Sequence, residues 1–157
     1  MTILWFLILG IIVFFVFKLL LPSIFHTIKT AHVRKDHELW LMYVTANEIW
    51  RALKDNFNNS SCYRTCATAV IFAALEKCVE DYNIPRNKLT EIAPYVLEPF
   101  FKKQNDRQKI IDYYLHSNVS SAFHQSVLQV KEYLQGKPCS ERVLHDLSIT
   151  SWDIPGV

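Results

Sequence analysis

The chain has 157 residues, 17 Lys and Arg against 15 Asp and Glu, 50% hydrophobic residues and only 3 glycines. A net charge of +2 is too small for a nucleic-acid binder that works through a basic face. The apolar content excludes a disordered chain, and the scarcity of glycine excludes collagen-like and Gly-rich repeats.

The first 35 residues carry Lys18, Lys29, Arg34 and Lys35 and no acid, so the remainder is net negative. From Ile3 to Leu21 the sequence is uncharged except for Lys18. As a helix that run is roughly 28 Å long, close to the hydrocarbon thickness of a bilayer. It predicts a transmembrane anchor over 1–25, with Ile3, Trp5, Phe6, Phe14, Phe17 and Leu21 toward lipid. Trp5 suits the interface at one end, and Lys18 can lift its ammonium to the headgroups at the other. A cleaved signal would need a basic start and a small-residue cleavage site, and the sequence offers neither. All four cations follow the apolar run or lie near its end. By the positive-inside rule they place the C-terminal domain in the cytoplasm. The basic juxtamembrane segment 26–35 also makes the bilayer a partner, through anionic headgroups.

Residues 36–147 read as an all-α, irregular bundle of five to six helices. Asp36 is a candidate N-cap, and Leu39, Met42, Tyr43, Ala46, Ile49, Trp50, Leu53 and Phe57 recur at helical spacing as one apolar stripe. Asn58 to Ser61 form a turn cluster. A helix over 61–82 is apolar on nearly every side from Cys66 to Leu75, which predicts a central core helix. A helix near 90–103 has Thr90 as candidate cap, and Pro99 should kink or restart it. Asn105 and Asp106 cap the next helix, and Ser117–Ser121 lead into another. Gly136 marks the end of that one, with Lys137-Pro138 beyond it. Ser140 caps a short helix, Glu141–Leu147, and 148–157 read as an extended tail.

Chemistry is sparse. Cys62 and Cys66 are four residues apart and share a helical face. A zinc site would want tighter Cys pairs or nearby histidines, and an i,i+4 pair only marginally meets disulfide geometry. The expectation is small buried thiols, with a bridge from Cys139 as the alternative in an oxidising compartment. Asp112 and His116 form an i,i+4 pair that reads as an exposed helix pair rather than a catalytic dyad. Glu76 and Glu80 at the same spacing read as a solvated face. No phosphate loop, nucleophile elbow or zinc-protease motif is present, so no catalytic residue, cofactor or metal ligand is assigned. Phe100-Phe101 and Tyr113-Tyr114 each place one ring off the core stripe, and Trp152 and Ile154 stand in the tail. These surplus apolar groups point to a protein partner.

The sequence therefore predicts a membrane-anchored, non-enzymatic helical domain that acts through protein–protein contact. The rival is a membrane-bound enzyme or thiol-redox protein using Cys62 and Cys66, or Asp112 and His116. Oligomeric state is not encoded in any visible pattern.

Overall fold

The computed structural model describes residues 11, 13–16, 18, 31–58, 60, 62–117, 121–137 and 142–149. The chain divides into two units, Met1–Asp36 and His37–Val157.

In the first unit, positions 11, 13–16, 18 and 31–35 are helical. Ile11, Val13, Phe14, Phe15 and Val16 are exposed, and the Phe14 and Phe15 rings meet edge to face at 6.2 Å. The transmembrane expectation is corrected here. Among the described residues no helix is long and apolar enough to cross a membrane. A span needs about 20 consecutive apolar residues. The helical stretch at 31–35 includes His32, Arg34 and Lys35. The longest helix of the second unit carries Arg64, Glu76, Lys77, Glu80 and Asp81. The single-pass reading, its signal-anchor and its cytoplasmic orientation are accordingly withdrawn. Ile3, Trp5, Phe6, Phe17, Leu21 and Lys29 lie outside the described residues, whereas Phe14, Lys18, Arg34 and Lys35 lie within them.

The second unit is all-helical among its described residues. Helix α1, His37–Leu53, begins directly after Asp36, with Glu38 in its first turn and Arg51 in its last. Both charges suit the helix dipole. It buries Leu39, Met42, Ala46 and Trp50, and a 3-10 turn, Lys54–Phe57, carries the stripe on to bury Phe57.

Helix α2, Tyr63–Asp81, is the axis of the bundle: every residue from Cys66 to Glu76 is buried. Four alanines in that stretch let other helices approach closely, and α2 packs most extensively on α1 and α5. Its C-terminus closes with Asn83 in the left-handed conformation at φ 51°. The Ile84 amide reaches back to the Val79 carbonyl at 3.1 Å, and Ile84 is buried. This is a Schellman ending with Asn where Gly is usual.

Helix α3, Asn87–Leu97, starts three residues before the predicted cap. Thr90 lies inside it and donates its hydroxyl back to the Asn87 carbonyl. Pro94 is accommodated in the interior, while Pro99 falls in the turn beyond Leu97. That proline has no amide with which to extend the ladder. Helix α4, Gln104–His116, is tied to this turn by Arg107, whose Nη1 donates to the Phe101 and Lys102 carbonyls at 2.7 and 3.0 Å.

Helix α5, Ala122–Leu134, has Ser121 as N-cap, its Oγ accepting the His124 amide. Gly136 at φ 66° ends it, with the Lys137 amide on the Glu132 carbonyl. The short helix α6, Val143–Ile149, runs past the predicted stop at Leu147. Main-chain acceptors hold it: Ser60 Oγ donates to the Ser148 carbonyl at 2.6 Å and Cys66 Sγ to the Leu147 carbonyl at 3.5 Å. Ser140, Trp152 and Ile154 lie outside the described residues.

Candidate binding cleft

Helices α2, α4 and α5 enclose a cleft of about 420 Å³, a size typical of ligand pockets. From α2 come Glu76 and Glu80, one turn apart. Tyr114, Leu115 and Ser117 come from the end of α4. His124, Val127, Leu128 and Lys131 come from α5, and Arg86 reaches in from the loop after α2. The α5 residues recur at three- and four-residue steps, which puts them on one face of that helix.

The floor is a buried polar network. Tyr114 donates its hydroxyl to Glu76 Oε1 in a short hydrogen bond, and Arg86 Nη2 donates to the same oxygen at 2.6 Å. The Glu76 side chain is only 11% exposed. Because a buried carboxylate is costly unless paired and hydrogen-bonded, these two donors are what make its position tolerable. Burial, reinforced by the hydrogen bond to Glu76, pushes the Tyr114 phenol well above its ordinary value. It is therefore a fixed donor at any physiological pH.

Tyr114 is clamped by rings on both sides. Phe72 stacks on it at 4.1 Å and His124 at 5.2 Å, the latter within 9° of parallel. His124 is steered by two hydroxyls: Ser117 Oγ and Ser121 Oγ lie 3.0 and 3.1 Å from its Nδ1. Ser121 Oγ already accepts the His124 amide, which leaves its hydrogen for Nδ1.

The rim is a second ion pair. Lys131 Nζ meets Glu80 Oε1 at 2.6 Å, and Gln135 Nε2 donates to Oε2 at 3.0 Å. The hydrogen bond from Lys131 is the main reason the Glu80 carboxyl is held below its usual range. Leu115 and Leu128, 47% and 42% exposed, stand beside this pair as the apolar lip.

The residues singled out from sequence are arranged otherwise. Cys62 caps α2 and Cys66 is buried one turn on. Burial pushes the Cys66 thiol up to about 11, the opposite of what a reactive thiolate needs. Cys78 is buried and shifted upward for the same reason. His116 Nδ1 bonds the main-chain carbonyl of Asp112 at 2.8 Å, while the Asp112 carboxylate accepts from Gln108 at 2.9 Å. The two side chains therefore do not form a dyad. Among the described residues no group of three His, Cys, Asp or Glu is placed to hold a metal. The aromatic pairs are absorbed by the fold. Phe100 sits edge-on to Trp50 at 5.3 Å, and Tyr113 stacks on Phe123 at 5.8 Å.

Sequence reasoning missed Glu76, Arg86, Tyr114 and His124 as a group. Their partners lie 10 and 38 residues apart along the chain, a separation that no local motif spans. One local signal existed: Ser121 three residues before His124 is a helix-capping spacing. No protein-family model, curated protein or solved structure matches this chain.

Proposed function

We propose that this is a helical recognition domain that acts by binding a partner protein, and that the cleft between α2, α4 and α5 is where the partner docks. One observation carries the reading. Two exposed leucines, Leu115 and Leu128, flank a cavity whose floor is a fixed hydrogen-bonding network. Apolar groups around a few convergent polar ones are the usual composition of a binding site, and buried apolar contact at the centre of an interface supplies most of its affinity. Binding rather than catalysis is supported by the chemistry of the charged groups. Glu76 is committed to Tyr114 and Arg86, and Glu80 to Lys131 and Gln135.

The test is a photo-crosslinking residue in place of Leu128 in the full chain, irradiated in cells. The expected outcome is one discrete adduct with another protein, lost when Leu115→Glu is added. No adduct, or an adduct indifferent to Leu115→Glu, overturns the reading.

A further inference from the structure

The polar groups of the cleft differ in what they have left to offer. Glu76 Oε1 receives both the Tyr114 hydroxyl and Arg86. The two oxygens of Glu80 receive Lys131 and Gln135. Of the four carboxylate oxygens only Glu76 Oε2 is left without a donor among the described residues, and it belongs to a side chain that is 11% exposed. The donors have more to give. Arg86 directs Nη2 to Glu76, yet its side chain is 71% exposed, so most of its five N–H donors face water. His124 has Nδ1 between the two serine hydroxyls, which leaves Nε2, without a partner among the described residues, to donate to an incoming acceptor. A guanidinium and an imidazole N–H bordering one cavity complement a carboxylate. An ammonium would find only Glu76 Oε2 without a donor, on a side chain that is 11% exposed.

We infer that the cleft is an anchor site for an acidic partner segment, in which a carboxylate is held by Arg86 and His124 and the adjoining aliphatic chain lies against Leu115 and Leu128. The inference rests on the reading of the cleft as the partner site and adds the chemistry of the anchor. It gives the serines a role: they occupy Nδ1 and leave Nε2 for the ligand. It also gives the Tyr114 stack a role, because a ring clamped between Phe72 and His124 holds the imidazole plane in place.

The experiment titrates the full chain with hexanoate and, separately, with hexylammonium, two probes of equal length and opposite charge. Methyl resonances of Leu115 and Leu128 and the ring resonances of His124 are followed by NMR. Hexanoate is expected to shift all three saturably, with a dissociation constant in the millimolar range for so small a ligand. Hexylammonium should bind about tenfold more weakly or worse, and Arg86→Met should weaken hexanoate by about tenfold. Arg86→Lys should fall between, since it keeps the charge and loses the fork. Arg86 also supports Glu76, so each variant is first required to keep the parent's His124 ring resonances, and Arg86→Lys retains a cation at that carboxylate. Absence of saturable hexanoate binding, equal or tighter binding of hexylammonium, or an Arg86→Met variant that binds hexanoate as well as the parent overturns the inference. A Leu128 adduct without any preference for hexanoate removes the acidic anchor alone. Absence of the adduct removes the docking reading beneath it.

Discussion

Around Trp50 three rings close in from three other elements: Phe57 stacks at 6.1 Å, and Tyr63 and Phe100 stand edge-on at 5.3 Å. Around Tyr114 the inventory is similar, with Phe72 at 4.1 Å, Phe123 at 5.9 Å and His124 at 5.2 Å. The first cluster joins α1, the 3-10 turn, the start of α2 and the turn after α3. The second joins the middle of α2 to α4 and α5. What separates them is where a hydroxyl goes. Tyr114 carries its polar tip inward to a buried carboxylate, and that carboxylate draws in Arg86 from the loop after α2. Aromatic packing alone builds a joint. Aromatic packing around a satisfied polar group builds a joint with an address.

The comparison breaks most plainly at Trp50. Trp50→Ala removes the ring on which the other three converge and is expected to cost about 3–5 kcal/mol, read from the urea midpoint. Surviving folded protein should keep the His124 ring resonances of the parent. If those resonances move, the two clusters are not independent.

Tyr114→Phe is the next largest effect. It leaves the stack intact but removes one of two donors to Glu76, with an expected loss of about 1–3 kcal/mol. The same variant has a pH signature. The folded-state values of Tyr114, Cys66 and Cys78 are all raised, so the unfolded chain releases these protons first as pH climbs. Their contribution to stability is complete below the unfolded values, near 8.5 for Cys and 10 for Tyr, and is lost as pH rises toward the folded ones. Urea midpoints measured from pH 8 to 11 should therefore fall, and fall less steeply in Tyr114→Phe. A parallel decline in both proteins would show that Tyr114 contributes nothing to it.

Smaller effects lie at the two helix ends that close on a left-handed residue. Gly136→Ala forces a side chain into a left-handed backbone where nothing crowds it, so the cost is conformational, about 1 kcal/mol. Asn83→Gly should do the reverse and stabilise by a few tenths of a kcal/mol, roughly the margin by which Gly outdoes Asn there. Thermal midpoints resolve both. An Asn83→Gly loss would mean that the Asn83 side chain has a role of its own.

The stripe on α1, the all-round burial of α2 and the Gly136 stop were legible because each is a local pattern of apolar spacing or backbone freedom. The start of α3 was not. Its N-cap, Arg86, makes no side-chain cap bond, so the conventional cap residue four positions later, Thr90, is the stronger signal in the sequence. The span over 1–25 was read from hydropathy, and of those residues only 11, 13–16 and 18 are described. The cleft was invisible for a different reason. Glu76 at the edge of an apolar helix reads as solvated until a tyrosine 38 residues away is brought over it. Phe100, Tyr113 and Tyr114, among the surplus aromatics that suggested a partner, pack against other rings of the fold, whereas Trp152 and Ile154 lie outside the described residues. The apolar groups standing exposed at the cleft are two leucines that no motif distinguished.

Helix α2 has almost no side that water can be left to cover, and its two principal neighbours are not made together. Helix α1 precedes it, whereas α2 ends at Asp81 and α5 begins only at Ala122. During synthesis the chain therefore holds an uncovered apolar rod while α3 and α4 are still being added. Its correct burial depends on a helix yet to leave the ribosome. Slowing translation between Asp81 and Ala122, or releasing the chain before α5, should expose that rod to chaperones and to its own copies. The order in which the residues arrive, as much as their identity, decides whether this bundle closes.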